Sequence, residues 1–124
     1  MKIEVSPGEL MDRLTIVEIK LEKIADPARR RNLEREHAEL LAARGDARDN
    51  ELDRLVAELK AVNAALWRIE EDLRAHEQRR EFGADFVELA RSVYFNNDRR
   101  STLKRRINEH LGSALTEEKS YPSY

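Results

Sequence analysis

Five apolar residues near the start of the chain, Leu10, Leu14, Val17, Leu21 and Ile24, recur at spacings of 4, 3, 4 and 3. That alternation holds one stripe on one face of an α-helix, as a coiled-coil seam does. Met11 and Ile16 widen the stripe. Just upstream, Ser6, Pro7 and Glu9 supply an N-cap, a first-turn proline and the third residue of a capping box. Val5 and Leu10 are placed to act as a hydrophobic staple, and Gly8 is the one residue of the first turn that works against the helix. A first helix is therefore expected over about residues 7–25.

Asp26-Pro27 ends that helix and starts another, because proline lacks the N–H and restricts its predecessor. The second helix, expected over about 27–44, carries Leu33, Leu40 and Leu41, and Gly45 suits a C′ position in the left-handed conformation. After a polar stretch in which Asp46 or Asn50 is the expected cap, the clearest periodicity of the chain begins. Leu52, Leu55, Leu59, Val62, Leu66, Ile69, Leu73 and His76 alternate spacings of 3 and 4 without a break. They predict a rod over about 50–81, on the order of 45 Å long. Phe82-Gly83-Ala84-Asp85 reads as a turn with Asp85 as cap, and a last helix is expected over about 85–111. It carries Phe86, Leu89, Ala90, Val93 and Tyr94, then Leu103, Ile107 and Leu111. Asn96-Asn97-Asp98 interrupts its stripe, which reads as a polar waist in one helix, with a break at Asn96 as the alternative. Residues 113–124 read as an extended, partly frayed tail.

The resulting fold class is all-α, in one domain over 1–124: a long coiled-coil-like hairpin with a shorter hairpin packed on it, resembling a four-helix bundle. Crossing angles near 20° are expected from the seam spacing.

Composition sharpens this picture. Among 124 residues 39% are charged and 40% hydrophobic, and with the periodicity above that balance means long solvated helices rather than disorder. No cysteine is present, which removes disulfides, thiolate metal sites and thiol nucleophiles. A formal charge of −2 gives no bulk attraction to nucleic acid or anionic membrane. The opening MKIEVSPGEL lacks the apolar core of a signal peptide, and no apolar run reaches membrane-spanning length. A cytoplasmic protein without membrane insertion is expected.

Candidate chemistry lies beside the seam. On the long helix Asn63, Trp67, Glu70, Arg74 and Glu77 form a polar row, and on the last helix Asn97, Arg100 (or Arg99), Lys104 and Asn108 form another. In an antiparallel hairpin the two rows come into proximity with Tyr94 near them. The candidate ligand-binding set is therefore Asn63, Trp67, Glu70, Arg74, Tyr94, Asn97, Arg100 and Lys104. The competing reading is an inter-helix lattice of ion pairs, and a helix-unfriendly asparagine near a seam is most simply a buried contact that fixes register.

Glu9, Asp12, Glu18 and Glu22, with Glu70, Glu71 and Asp72, invite comparison with the acidic magnesium sites of all-α nucleotide hydrolases. No strict motif matches. His37, His76 and His110 lie on three different helices without the i, i+4 pairing of a zinc site. The arginines at 29–31 and the basic residues Arg99, Arg100, Lys104, Arg105 and Arg106 point around their helices and lack stacking aromatics. No cofactor is expected, no catalytic residue can be named, and nucleic acid is not an expected partner.

The stretches SPGELMDRLTIVEIKLEKI, LKAVNAALWRIEEDLRAHE, FVELARSVYFNNDRRSTLKRRIN and EEKSY together resemble a family of small uncharacterised bacterial all-helical proteins. The resemblance spans nearly the whole chain. It implies no catalytic residue, and it implies relatives encoded near genes for surface-polysaccharide or glycosyltransferase functions. The expected role is a non-catalytic helical module that binds a protein partner or a second copy of itself. The alternative is a site between the two long helices for a small polar or anionic ligand, or an enzyme of the nucleotide or sugar-nucleotide class.

Overall fold

The computed structural model describes residues 1–123, and Tyr124, the end of the expected tail, lies outside them. The described residues form four helices and no strand: α1 Pro7–Lys23, α2 Pro27–Arg44, α3 Asn50–Arg79 and α4 Ala84–His110. The all-α class read from periodicity is the fold observed. α4 is continuous, so the Asn96 region is a polar waist and not a break.

Caps set the helix ends. The Glu9 backbone N–H donates to Ser6 Oγ at 3.2 Å, which is half of the capping box. The reciprocal half is not made, because the Glu9 carboxylate accepts from Arg13 Nε at 2.9 Å and Lys104 Nζ at 2.7 Å instead. Asp26 caps α2 by accepting from the Arg29 N–H, while the Arg30 guanidinium donates to the carbonyls of Leu21 and Ile24 and so closes the end of α1. Two expected caps are corrected. The cap of α3 is Asp49 rather than Asp46 or Asn50; it accepts from the Leu52 N–H at 2.8 Å and also meets His110 Nε2 at 2.9 Å. That second contact ties the start of α3 to the end of α4. The residue preceding α4 is Gly83, with no side-chain cap, and Asp85 falls within the first turn, where its charge complements the helix dipole.

Three helices share the core. α3 and α4 form an antiparallel hairpin and α1 lies in its groove, while α2 comes within backbone packing distance of α1 alone. Gly8 faces Lys104 and Asn108, and Asp12 faces Arg100; α1 therefore runs antiparallel to α4 and parallel to α3. Met11 and Leu14 pack with Leu52, Leu55, Leu59, Val62, Leu103 and Ile107, and the side chains of Leu40 and Leu41 reach this cluster from α2.

Because α1 is sandwiched between α2 and the hairpin, it buries more than one stripe. Gly8, Met11, Asp12, Thr15 and Ile19 are buried as well as Leu14 and Val17, whereas Leu10, Leu21 and Ile24 of the expected stripe are only half-buried.

The long seam outruns the bundle. The last fully buried residue of α3 is Asn63 and the first of α4 is Leu103. Beyond them Leu66 still packs on the core cluster, and Ile69, Leu73, Phe86, Leu89 and Val93 are half-buried outside it. This outer part of the hairpin is an arm. Its tip is closed by Phe86, which meets Phe82 edge-on at 5.2 Å and His76 at 6.2 Å between ring centroids, and Arg80 turns the chain in the left-handed region at φ 54°.

Gly8 explains itself in this geometry. A Cβ there would overlap the Lys104 carbonyl oxygen and stand 2.9 Å from Asn108 Oδ1, which accepts the Gly8 N–H at 2.7 Å. The close approach of α1 to α4 depends on the missing side chain. In an ordinary helix interior Gly→Ala stabilises by about 0.5–1 kcal/mol. Here Gly8→Ala is expected to have the opposite sign, destabilising by about 1–3 kcal/mol as overpacking does. Urea unfolding of the full chain checks it, and a gain in stability would contradict the contact.

Candidate functional site

The eight candidate residues do not share one place. Asn63, Trp67, Glu70, Arg74 and Arg100 line one cavity of about 530 Å³. Its remaining walls are apolar: Ile16 and Ile19 of α1 and Leu66 of α3, with Glu71 on the rim. It opens where α1 leaves the hairpin groove. Tyr94 and Asn97 instead line a second cavity, with Asp98 and the tail residues Lys119, Tyr121 and Pro122. Lys104 lies in a third, smaller recess with Glu117. Both of these exist because the tail folds back along α4, held by Lys104 Nζ to Glu117 at 3.0 Å and Arg105 to Glu118 at 3.4 Å.

The first cavity rests on a buried polar network. Asp12 is 1% exposed. Its Oδ1 accepts from Arg100 Nε at 2.8 Å and from Asn63 Nδ2 at 2.9 Å, and its Oδ2 accepts from Arg100 Nη2 at 2.5 Å. Asn63 Nδ2 also lies 2.9 Å from Thr15 Oγ1, which donates in turn to the Asp12 carbonyl at 2.8 Å. One carboxylate thus joins α1, α3 and α4. Its hydrogen bonds, opposed by partial burial, hold the Arg100 guanidinium above its ordinary pKa.

A second pair lies one turn away. Burial pushes the Glu9 carboxyl up, but hydrogen bonds from Lys104 and Arg13 outweigh it and hold the group at about 2. Burial also opposes the charge on Lys104, yet Glu9 and Glu117 together raise its pKa.

These bonds constrain what the cavity can do. Two of the three nitrogens of Arg100 are committed to Asp12, and Arg74 stands 3.7 Å from Glu70 in an exposed pair worth about 0–1 kcal/mol. Each of these two cations already stands within 4 Å of a carboxylate. The lining contains no histidine, hydroxyl or thiol to act as base or nucleophile. What it offers is a half-buried indole, aliphatic walls and a charged rim.

The acidic residues compared with a magnesium site are dispersed among cations. Asp12 is held by Arg100, while Glu18 and Glu22 share Lys60 at 3.2 and 2.9 Å. Among the described residues no three His, Cys, Asp or Glu side chains come together as a metal cluster. His37 faces Glu18 at 3.8 Å and His110 faces Asp49.

Thr15 and Gly8 are the residues that sequence reasoning did not place in a site, and Asp12 was considered only as one of the acidic residues of a magnesium centre. The available signal was their spacing: Gly8, Asp12, Thr15 and Ile19 recur at 4, 3 and 4, a second helical stripe carrying polar residues.

Two expectations follow. Replacing Arg100 with Met strands a buried carboxylate and is expected to cost about 3–5 kcal/mol. The double variant Asp12→Leu/Arg100→Met should recover much of that loss, and a chemical-denaturation cycle measures the coupling; additive losses would show that the pair is not coupled. The Glu9 carboxyl is depressed from 4.5 to about 2 in the folded chain. Its contribution is thus fully present above pH 4.5 and lost as pH falls toward 2. Lys104→Met should flatten the acid limb of the stability curve over that window, and an unchanged limb would remove Glu9 as its cause.

A search of curated proteins and of solved structures finds no match. The model of one family matches residues 1–124, the whole length of the chain. The chain belongs to a family of unknown function, DUF6165.

Proposed function

We propose that this protein is a non-catalytic, cytoplasmic protein-interaction module whose α3–α4 arm receives an amphipathic helix of a partner. The observation that carries the reading is the seam that continues beyond the bundle. α1 fills the groove between α3 and α4 along its inner half. The same groove runs on with Ile69, Leu73, Phe86, Leu89 and Val93 half-buried, outside the core cluster that α1 shares with the hairpin. Val87 on the arm is 51% exposed. From Ile69 to Arg79 the slot is about 15 Å long, the length of a helix of about 10 residues, and helix-in-groove docking uses an apolar stripe of that kind. Among the described residues no helix is long and apolar enough to cross a membrane. The resemblance noted above points the search for partners toward proteins of surface-polysaccharide assembly.

A photo-crosslinking residue placed at Glu70 or Val87 should give a discrete adduct in bacterial cells, and one at Arg35 on the exposed face of α2 should not. Leu73→Glu lies outside the core cluster, so the chain keeps its helicity by circular dichroism while the arm adduct is lost. Equal crosslinking from all positions, or none from the arm, would overturn the reading. An adduct of twice the chain mass would make the partner a second copy.

The cavity at Trp67 favours a second reading, a small ligand held against the indole between α1 and α3. Nucleotides, sugar nucleotides, inorganic phosphate and Mg²⁺ are the probes. A ligand at 100 times its dissociation constant adds about 2.7 kcal/mol of stability, and an unmoved melting transition with every probe would dismiss it.

A further inference from the structure

The cavity beside Trp67 is lined by the half-buried side chains of Ile16, Leu66 and Trp67, with Asn63 and Arg100 next to them. Asn63 is only 6% exposed, so both ends of its amide call for partners. Nδ2 donates to Asp12 Oδ1 and to Thr15 Oγ1, each at 2.9 Å. Those partners dictate the orientation of the amide. A carboxylate oxygen only accepts, and the Thr15 hydroxyl gives its own hydrogen to the Asp12 carbonyl. Both amide hydrogens are therefore used inside the bundle.

The other end, Oδ1, meets no donor among the described residues. It is not sealed in either. The one buried side-chain polar atom that is both closed to solvent and without a partner among the described residues is Arg44 Nε. Oδ1 thus stays accessible, and the Trp67 cavity is where Asn63 reaches the surface. Arg100 gives Nε and Nη2 to Asp12 and keeps Nη1 uncommitted. Because Asn63 and Arg100 donate to the same Asp12 oxygen, the two side chains are neighbours. An acceptor and a donor are left over side by side, next to an indole. Around them the carboxylates of Asp12, Glu70 and Glu71 outnumber the guanidinium groups of Arg74 and Arg100, which disfavours a net anion.

Resting on the second reading above, that this cavity holds a small ligand, we infer that the ligand is an uncharged planar nitrogen heterocycle with an amino group beside a ring nitrogen, the class of adenine and cytosine. Its amino group donates to Asn63 Oδ1, its ring nitrogen accepts from Arg100 Nη1, and its ring packs on Trp67. A free asparagine reads such an edge with both ends of its amide; here Nδ2 is already engaged, so Arg100 supplies the donor. Stacking on an aromatic side chain tolerates any base, which leaves the choice to the edge. A volume of about 530 Å³ accommodates such a ring.

Trp67 is the only tryptophan of the chain, so its indole N–H is an unambiguous reporter in NMR of the isotopically labelled full chain. Adenosine is the probe; purine riboside, which lacks only the amino group, and inorganic phosphate are the controls. Adenosine is expected to shift the Trp67 indole N–H and the Asn63 side-chain amide, with a dissociation constant of about 1 mM or below. Purine riboside and phosphate should bind at least about tenfold more weakly. Trp67 lies outside the core cluster, so Trp67→Leu should keep its helicity by circular dichroism and lose the Asn63 shift. Equal shifts with purine riboside, no shift with adenosine, or an Asn63 shift that survives Trp67→Leu would each overturn the proposal. If adenosine fails while phosphate or a sugar nucleotide moves the same resonances, the cavity still holds a ligand but not one of this class; silence from every probe ends both ideas.

Discussion

The fold turns on one buried charge. A carboxylate at 1% exposure, Asp12, is the one charged group among the buried residues described, most of which are apolar. Leaving such a group unpaired would cost several kcal/mol, so the arrangement is viable only where Arg100, Asn63 and Thr15 converge. Sliding α1 by one turn along the hairpin would keep leucines against leucines but strand Asp12. Apolar seams tolerate such slips; this network does not. Gly8 adds a second constraint a turn away, because the backbone of α1 approaches α4 closely only where no side chain intervenes. Hydrophobic burial supplies the stability, and the polar contacts choose the register.

Much of this was legible from the residues. The 3-and-4 spacing of leucines located four helices, and proline, glycine and serine marked most of their ends. Periodicity reports a face, however, not what covers it. The Leu52–His76 series reads as one unbroken stripe, yet its first half is core and its second half is the seam of a two-helix arm. Nothing local distinguishes Val62 from Leu66; the difference is where α1 ends. The same limit applies to the candidate rows. The Asn63–Arg100 meeting follows from an antiparallel hairpin, but Tyr94, Asn97 and Lys104 were turned toward the tail. The placement of the tail depends on Glu117 and Glu118 finding Lys104 and Arg105, which are long-range pairs in a chain rich in both signs. The role of Asp12 was missed for a related reason: among 25 acidic residues it read as one carboxylate of a possible magnesium set, and only its burial shows it as the partner of Arg100.

The abundance of charge also bears on function. Most ion pairs here lie on the surface, including Arg54 with Glu51 and Glu58 and Arg79 with Glu81, and contribute little individually. What they do is keep long helices solvated where no third element covers them. On the α3 side of the arm Glu70, Glu71, Asp72 and Arg74 are all exposed, and they keep that flank of the half-buried seam hydrated.

Two arginines frame what kind of chemistry the bundle supports. Arg100 and Arg44 each reach a partly buried environment, on opposite sides of α1. Arg100 meets a carboxylate that the chain itself provides, in a network that joins three helices. The surroundings of Asp12 therefore read as structure. Arg44 has a buried donor that the chain does not match. The same side chain is therefore a fastener in one setting and an uncompensated local cost in the other.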